Sequence, residues 1–315
     1  MSEMLRIVFA GAGEFGLPAL RRLAAGHKVV EVVTQPDRPA GRGRHMEPTA
    51  IAQAALELGL PLVRTENINV EALPDADVLV VIAFGQKVSQ ELAGRYRLGS
   101  VNLHSSLLPK CRGAAPINWT LIRGETVTGN SVIRLAEKMD AGAILAQSRL
   151  AVEDVETAGE LHDRLAEDGG NLIETVLGQL AKGMAVETPQ DPALATIAAK
   201  LGRQDTLLDF AATPAGVLAN RIRGLFPWPG CRVRTLDAAG AVQRRLTLVR
   251  ARVVEGEGAR WSAGELTLTG AISVGDGEYA LEVLELQPEG KKPMAISAYR
   301  NGHPWLAGMR VESIV

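Results

Sequence analysis

Apolar residues in the first part of the chain form short continuous runs that alternate with amphipathic stretches. The continuous runs have the length of buried strands and lie at residues 5–10, 29–34, 77–83 and 100–103. The amphipathic stretches have helical spacing and lie at residues 17–25, 51–58 and 88–93. Strands that alternate with helices predict a doubly wound α/β domain built on a mostly parallel sheet.

This first unit is expected to close with two strands and a long helix. The strands are predicted at residues 131–135 and 144–150. Thr157 and Glu160 form a capping-box pattern, and apolar residues recur at helical spacing after them. We therefore place the first domain at residues 1–183.

The pattern changes after this helix. Residues 184–206 contain the run Pro189-Gln190-Asp191-Pro192, which breaks a helix, and are predicted to be a linker. Short strand-like runs follow from residue 232 onwards, and Asp276-Gly277 is a hairpin-turn signal. Several short strands in so short a stretch predict a small OB-like β-barrel, a second domain at residues 207–315.

Charge and cysteine content limit the class of protein. The chain has 315 residues with 34 basic and 36 acidic side chains, so it has no overall cationic field and must hold any polyanion locally. Cys111 and Cys231 are too few for a disulfide framework and too far apart for a usual zinc-ligand pair, so no metal is expected. Glu3 stands where a signal peptide needs bases, and no apolar run has the length of a membrane span. We expect a cytoplasmic protein without membrane contact.

A glycine-rich turn follows the first strand. The motif Gly11-Ala12-Gly13-Glu14-Phe15-Gly16 matches the dinucleotide fingerprint between a strand and a helix. That fingerprint needs an acid at the end of the second strand, whereas this strand ends at Gln35 and Asp37 lies beyond it. Glu14 would also place a negative charge near a bound pyrophosphate. A nicotinamide enzyme is therefore disfavoured, and the glycines are expected to serve a tight turn.

Polar groups cluster where the fourth buried strand ends. Asn102 and His104 are two residues apart, so in a strand their side chains lie on one face. Asp140 lies in a turn between the last two strands of the sheet, from which it could reach the same face. From the residues alone, a structural histidine and an ordinary turn aspartate stay open as alternatives.

The side chains of Asn102, His104 and Asp140 would supply an amide, an imidazole and a carboxylate. Because the sequence offers neither a cysteine nucleophile nor a metal site beside them, they fit an acyl transfer in which the acceptor itself attacks. The Asn102 amide and a proton on His104 would stabilise a developing oxyanion, and one such donor contributes about 3 kcal/mol. Asp140 would orient or charge the imidazole. General-base help with the proton of an attacking amine adds about 10²- to 10⁴-fold in rate. A serine hydrolase using Ser105 or Ser106 is the weaker reading, because the G-x-S-x-G elbow is absent from the sequence.

The same residues carry a resemblance to a known family. Asn102-x-His104-x-Ser106-Leu107-Leu108-Pro109, followed by Arg112-Gly113-Ala114-Ala115-Pro116 and by Asp140, resembles the signature of the folate-dependent formyltransferases. Further stretches resemble the members that formylate methionyl initiator tRNA, and they lie at residues 34–44, 227–230 and 286–294. The resemblance implies 10-formyltetrahydrofolate as co-substrate and the α-amino group of methionyl initiator tRNA as acceptor. It implies that the catalytic residues are Asn102, His104 and Asp140.

The resemblance also implies binding residues. Those that would line the folate pocket are Phe84, Gly85, Gln86, Ser106, Leu107, Leu108 and Pro109. Those that would hold tRNA lie in an arginine-bearing loop and in the linker, and they are Arg38, Arg42, Arg44, Lys200 and Arg203. Arg221 and Arg223 would add phosphate contacts. Arginines among prolines and glycines describe a mobile cationic arm that can contact phosphates, although charge alone equally fits a solvated loop.

Two alternatives from the sequence stay open. A formyltransferase of a small molecule, or a formyl-folate hydrolase, would use the same chemistry but leaves the arginine loop and the barrel unexplained. A noncatalytic RNA-binding module would not need the catalytic residues intact. For the enzyme that the resemblance implies, the expected assembly is a monomer.

Overall fold

The computed structural model describes residues 4–40, 45–275 and 277–314. Its strands, in chain order, are β1 (Arg6–Gly11), β2 (Lys28–Thr34), β3 (Arg38–Ala40), β4 (His45–Glu47), β5 (Leu62–Arg64), β6 (Val78–Ile82), β7 (Ser100–His104), β8 (Arg112–Gly113), β9 (Val127–Thr128), β10 (Ser131–Arg134), β11 (Ile144–Gln147), β12 (Leu150–Ala151), β13 (Ile197–Ala198), β14 (Cys231–Leu236), β15 (Val242–Glu255), β16 (Ile272–Val274), β17 (Tyr279–Pro288), β18 (Met294–Ala295) and β19 (Arg310–Ile314). Its α-helices are α1 (Leu17–Gly26), α2 (Ala50–Glu57), α3 (Gln90–Ala93), α4 (Pro116–Ile122), α5 (Ala158–Ala181), α6 (Ala215–Gly224) and α7 (Ile296–Arg300). Short 3-10 helices lie at Glu14–Gly16, Ile68–Val70, Pro192–Leu194 and Arg203–Thr206.

The first sheet has the strand order β11-β10-β7-β6-β1-β2-β5. Strands β5, β2, β1, β6 and β7 are parallel, and β10 and β11 join the β7 edge in antiparallel orientation. The predicted doubly wound, mostly parallel sheet is confirmed. It forms because the continuous apolar runs are buried on both faces, as parallel strands require.

One face of this sheet contributes to a buried cluster. Val8 and Ala10 of β1 and Leu79 and Val81 of β6 alternate along their strands, so all four side chains lie on the same face. Phe84, which follows β6, is 2% exposed and packs into the same cluster. Burial of each large apolar side chain stabilises the fold by about 1.5–3 kcal/mol.

Side-chain caps set the ends of the helices in this part of the chain. The predicted capping box is confirmed, because the Thr157 amide donates to the Glu160 carboxylate at 2.9 Å and the Glu160 amide donates to Thr157 Oγ1 at 3.4 Å. The predicted helix at residues 88–93 is shorter than expected. Ser89 caps it by accepting from the Leu92 amide at 3.2 Å, so the helix begins only at Gln90.

The glycine-rich turn after β1 is a packing feature. A Cβ added at Gly11 would lie 2.9 Å from the Ile82 carbonyl oxygen, and the Gly13 amide donates to the Ala83 carbonyl at 3.3 Å. Asp37 accepts a hydrogen bond from Arg64 at 2.8 Å, so its carboxylate is paired where a dinucleotide ribose would need it. These contacts favour a tight structural turn, and they argue against a nicotinamide-binding site.

The second sheet is antiparallel and has the strand order β16-β17-β15-β14-β19, with β18 paired to β17. The predicted OB-like class is confirmed. The apolar run at residues 265–268 forms only isolated bridges, one of them Glu265 to Arg310. Val274 pairs with Tyr279 across the predicted hairpin, whose Asp276 lies outside the described residues. Neither β19 nor α6 was predicted from the sequence.

The described residues form two compact units that are not sequential along the chain. The first takes in the described residues up to Pro116 together with Val127–Leu150 and His162–Ala198, and the second takes in Ile117–Thr126, Ala151–Leu161 and the residues from Ala199 onwards. This division differs from predicted boundaries at 183 and 206. Residues 184–198 join the first unit because β13 pairs with β8 and Thr188 bridges to Ile144.

The described residues contain neither a membrane-spanning helix nor a cluster of metal ligands. In residues 4–40, 45–275 and 277–314, no helix combines the length and apolar character needed to cross a bilayer. Within those same ranges, no three His, Cys, Asp or Glu side chains are grouped so that they could hold a metal ion.

Candidate active site

His104 lies at the carboxyl end of β7 and is 7% exposed. Its Nε2 atom is 2.9 Å from the carbonyl oxygen of Cys111. Because a carbonyl can only accept, the hydrogen-bond partner places a hydrogen on Nε2. The Nδ1 atom lies 3.8 Å from Asp140 Oδ1, which is too far for a hydrogen bond, so the carboxylate is a close neighbour of the ring without a direct bond to it.

Asn102 shares this face of β7. Val101 and Leu103 are buried at 0% and 3% exposure, so strand alternation turns Asn102 and His104 to the opposite face, as predicted. The Asn102 side chain is half-buried and forms no hydrogen bond with any residue that the structure describes. Its amide is therefore a donor without a protein acceptor in that part of the chain.

Asp140 reaches this face only because its loop folds back. β10 runs antiparallel to β7, with Ser131 opposite His104 and Arg134 opposite Val101. The loop after β10 therefore starts at the end of β7 far from His104. It returns to bring the Asp140 carboxylate, 12% exposed, beside the imidazole, where Asp140 Oδ2 also accepts the Gly113 amide at 2.8 Å.

Backbone strain is concentrated at this site. Among the residues that the structure describes, the non-glycine residues with positive φ are Ala83 at 46°, Cys111 at 57° and Asp140 at 54°. Cys111 supplies the carbonyl that accepts from His104, and Asp140 supplies the carboxylate beside it. Ala83 directly follows β6, the strand next to β7. Left-handed conformations cost about 1–3 kcal/mol each for such residues and persist only where the surroundings hold them.

The segment predicted as a linker holds the Asp140 turn. Gln190 Nε2 donates to the carbonyl oxygens of Asp140 and Gly142, both at 2.8 Å. Gln190 Oε1 accepts from Arg112 Nε at 3.1 Å and from Arg112 Nη2 at 2.6 Å. Arg112 itself is 6% exposed. Gln190 was not identified from the sequence, because a glutamine in a run bounded by two prolines is typical of a solvated loop.

The same segment and two strands anchor the loop that follows His104. Thr196 Oγ1 accepts the Cys111 amide at 2.9 Å. Ser131 Oγ donates to the Ser106 carbonyl at 2.6 Å and accepts the Leu108 amide at 3.1 Å. Gln147 Nε2 donates to the Leu108 carbonyl at 2.9 Å. Ser131 and Gln147 were predicted only as strand residues, and only the pairing of β10 with β7 and β11 shows their role.

The residues implied for folate binding fall into two groups. Gly85, Leu107 and Pro109 are exposed or half-buried and can present surface to a ligand. The side chains of the others are occupied by the fold: Phe84 in the core cluster, Leu108 at 3% exposure, Ser106 through a hydrogen bond to the Lys110 carbonyl, and Gln86 through hydrogen bonds with the Ile68 amide and the Thr65 carbonyl.

The residues implied for tRNA binding lie in different parts of the fold. Arg38 is exposed at the base of the ribbon formed by β3 and β4 and donates to Gln35 Oε1. Arg42 and Arg44 lie outside the described residues. Lys200 and Arg203 are exposed, and neither pairs with an acid that the structure describes.

Arg223 does not fit the predicted phosphate contact. Its side chain is buried at 8% exposure. The guanidinium donates to Asn220 Oδ1 at 2.9 Å and to the Glu153 carbonyl at 3.1 Å. Neighbouring Arg221 donates to the Asp205 carbonyl at 2.9 Å. Both side chains form hydrogen bonds within the second unit, where α6 packs against β15.

Other cations form an exposed face on the second sheet. Arg232 and Arg234 alternate with buried residues along β14, and Arg234 lies opposite Arg245 of β15. Glu312 of β19 pairs with Arg234 at 2.8 Å. Arg232 and Arg245 are exposed and have no acidic partner among residues 4–40, 45–275 and 277–314. The sheet therefore presents uncompensated positive charge on its outer face.

Comparison with known families gives matches to both parts of the chain. The family described as formyl transferase matches residues 5–177. The family described as formyl transferase, C-terminal domain, matches residues 200–304. The two matches together span most of both units.

Individual relatives and a solved structure extend these matches. The methionyl-tRNA formyltransferase of Moorella thermoacetica is 40% identical over 96% of this chain and 98% of its own length. The protein of the same name from Acidobacterium capsulatum is 40% identical over 95% of this chain and 97% of its own length. The N-formyltransferase from Helicobacter canadensis, solved with folinic acid and dTDP-3-aminofucose, shares the fold with a TM-score of 0.66 at 13% identity, over 90% of this chain and 100% of that chain.

Proposed function

This chain belongs to the formyl transferase family, and from that premise we propose that it transfers the formyl group of 10-formyltetrahydrofolate to the α-amino group of methionyl initiator tRNA. The observation that carries the chemistry is the convergence of Asn102, His104 and Asp140 on one face of the sheet, with Asp140 Oδ1 3.8 Å from His104 Nδ1. The identity of the acceptor rests on the two relatives of that name, which align with nearly the whole chain.

We assign the developing oxyanion to Asn102. When the amine attacks the formyl carbon, the formyl oxygen gains negative charge that needs a donor. The Asn102 amide is half-exposed and makes no hydrogen bond with another described residue, so it can serve the oxyanion without giving up a protein partner. A preorganised donor of this kind lowers the barrier by about 3 kcal/mol.

Proton transfer is assigned to His104. The attacking nitrogen must lose a proton as it bonds to the formyl carbon, and folate N10 must gain one as its bond to that carbon breaks. Since Nε2–H of His104 is held by the Cys111 carbonyl, Nδ1 is the nitrogen that can accept and return this proton. The Asp140 carboxylate lies beside Nδ1 and stabilises the imidazolium that forms.

The folate site is proposed at two adjoining loops of the first unit. Gly85 is exposed and has φ of 75°, and a Cβ there would lie 2.5 Å from Gln35 Nε2. This position therefore requires a glycine and leaves bare backbone. Leu107 and Pro109 present apolar surface on the loop after His104. Backbone groups beside a small apolar surface fit a flat heteroaromatic ring such as the pterin.

The tRNA contacts are proposed at two cationic features, one in each unit. In the first unit, Arg38 supplies its guanidinium to phosphates, and Arg42 and Arg44, which lie outside the described residues, are assigned the same role from the sequence. In the second, Arg232 and Arg245 supply uncompensated charge on the outer face of the sheet, and Lys200 and Arg203 add exposed cations. Contacts of this kind give affinity that falls steeply with salt. Because the proposed site is complete within one chain and acts on charged tRNA, we place the enzyme in the cytoplasm as a monomer.

The test is transfer of labelled formyl from 10-formyltetrahydrofolate with three acceptors offered together: methionyl initiator tRNA, free methionine and glycinamide ribonucleotide. Label on the charged tRNA alone is the expected result, and Asn102→Ala should reduce it by about 10²- to 10³-fold. Label on a small acceptor, or free formate without labelled tRNA, would contradict the proposed acceptor while leaving the catalytic residues in place.

A further inference from the structure

Gln190 connects the segment at residues 184–198 of the first unit to the Asp140 turn. Its two amide hydrogens go to the carbonyl oxygens of Asp140 and Gly142, both at 2.8 Å. These carbonyls lie on either side of Ala141, at the end of the turn that the Ala141 amide closes on the Lys138 carbonyl. A single side chain therefore holds the end of the turn that carries the carboxylate.

Arg112 fixes which way the Gln190 amide points. A glutamine amide has an acceptor end and a donor end that a half rotation exchanges. Both Nε and Nη2 of the buried Arg112 donate to Gln190 Oε1. Only the observed orientation satisfies every partner, because the reverse would turn the NH₂ group to a cation and the oxygen to two carbonyls.

The Asp140 turn needs such a restraint. Its loop starts at the end of β7 far from His104 and passes through exposed residues before it returns, and these are Glu137, Lys138 and Met139. Asp140 then adopts φ of 54°, a conformation that surrounding contacts must hold. The contacts observed are the Gly113 amide on the carboxylate and the Gln190 amide on the backbone.

We propose that Gln190, oriented by Arg112, is a positioning residue that holds the Asp140 carboxylate at His104. Residues 184–198, which belong to the first unit, then contribute to its catalytic apparatus. The kinetic half of this inference rests on the proposed formyl transfer, whereas the structural half does not.

The structural half is tested by hydrogen exchange. Gln190→Glu keeps the side-chain size and the acceptors for Arg112 but removes both N–H donors. We expect the Gly113 amide, which donates to the Asp140 carboxylate, to exchange about fivefold to tenfold faster in this variant. Asp191→Ala is the matched control, because the Asp191 carboxylate accepts the Ala193 amide in the same segment and does not contact the Asp140 turn among the described residues, and it should leave Gly113 exchange unchanged.

The kinetic half is tested by a double-mutant cycle. Gln190→Glu should lower kcat by about 10- to 100-fold and leave KM for both substrates within about threefold, because a misplaced catalytic group affects the transition state and not binding. In an Asp140→Asn background the same substitution should lower kcat by less than about twofold. Asp191→Ala should keep the kcat of the wild type.

Four results would show that Gln190 does not position Asp140. Unchanged Gly113 exchange, an unchanged kcat, an equal loss of kcat in the Asp140→Asn background, or an effect of Asp191→Ala equal to that of Gln190→Glu would overturn the proposal. A wild-type chain that formylates no acceptor would instead refute the proposed function. In that case faster Gly113 exchange in Gln190→Glu would still support the restraint on the Asp140 turn.

Discussion

At the scale of the residue, Asp140 combines two demands that few side chains meet. It must place a carboxylate oxygen near His104, and its backbone must adopt a left-handed conformation with φ of 54°. Aspartate and asparagine tolerate that conformation better than other non-glycine residues. Chemistry and backbone geometry therefore select the same residue here, and the two can be separated by one substitution.

Asp140→Asn should lower kcat by about 10²- to 10⁴-fold and leave the affinity for tRNA unchanged. The asparagine keeps the left-handed backbone and can still accept the Gly113 amide, so only the negative charge beside His104 is lost. Single-turnover formylation and a direct tRNA-binding assay would measure the two effects.

Asp163→Asn is the control for the loss of a carboxylate beside a histidine. Asp163 lies on α5, is exposed and contacts His162 Nδ1 at 2.9 Å, and its substitution should leave both kcat and tRNA affinity unchanged. Parallel losses of turnover and tRNA affinity in Asp140→Asn would contradict the assigned role.

At the scale of the element, the short pair of β8 and β13 attaches the segment at residues 184–198 to the loop that follows His104. Arg112 pairs with Ile197, and Gly113 pairs with Ala198. Gly113 has φ of 120°, and a Cβ there would lie 2.6 Å from the Ala198 carbonyl oxygen. The backbones approach so closely that only glycine fits.

Gly113→Ala should therefore separate the two strands and destabilise the first unit by about 1–3 kcal/mol. Turnover should fall with it, since the Gly113 amide also donates to Asp140. Urea unfolding and the formylation assay would measure both. Gly178→Ala is the matched control: Gly178 lies within α5 with no atom within 4 Å of an added Cβ, so the alanine should stabilise by about 0.5–1 kcal/mol.

The start of α5 is held by an ion pair whose strength depends on pH. Arg250 Nη2 donates to Glu160 Oε1 at 2.6 Å, and Nη1 donates to Oε2 at 2.8 Å. Hydrogen bonds from Arg250 are the largest cause that lowers the pKa of Glu160 from 4.5 to about 2, and the Thr157 cap adds to it. A carboxylate with a lowered pKa in the folded state stabilises the fold above its ordinary pKa.

The contribution of Glu160 should be complete above about pH 5 and should be lost as the pH falls from 4.5 towards about 2. The difference in urea midpoint between the wild type and Glu160→Gln should therefore shrink across this interval. A difference that stays constant from pH 7 to about pH 3 would show that the charge of Glu160 contributes nothing. Asp163→Gln, at an exposed position of the same helix, controls for general acid effects.

At the scale of the whole molecule, charge is arranged locally on a chain that is nearly neutral. The formal net charge is −2, yet the outer face of β14 and β15 bears Arg232 and Arg245 without acidic partners in the described part of the chain. Many other arginines are committed to acids, such as Arg252 to Glu282. Recognition of a polyanion therefore depends on where cations are left uncompensated.

Arg232→Gln and Arg245→Gln should each weaken tRNA binding about threefold to tenfold and reduce the slope of log Kd against log salt by about 1. The kcat at saturating tRNA should not change, since neither residue lies in the proposed catalytic machinery. Arg252→Gln, which removes an exposed arginine that is already paired, should have a much smaller effect. Equal effects of all three variants would show that binding responds only to total charge.

Patterns between near neighbours in the sequence predicted the first unit well. Buried strands read as continuous apolar runs, and the capping box at Thr157 marks the start of α5. Asn102 and His104 share a face because of strand periodicity alone. The second unit was predicted less completely, because β19 and α6 depend on packing against distant strands.

The candidate site shows the same limit. Phe84 and Gln86 lie in a segment implied for folate, but whether a side chain faces a pocket or the core depends on the layers around it. Arg223 was predicted as a phosphate contact and is buried in the second unit. Gln190 carries no local signal, since the carbonyls to which it donates lie 50 and 48 residues away along the chain and Arg112 lies 78 residues away.

The sequence by itself determined the fold class and the family and supplied the candidate catalytic side chains, because these depend on residue type, short-range periodicity and motif spacing. Tertiary structure decided how Asp140 reaches His104, which segment holds it there and which arginines keep an unpaired charge. The physical reason is that an antiparallel strand carried the Asp140 loop to the far end of β7. Only contacts between residues distant in sequence brought the loop back and held it.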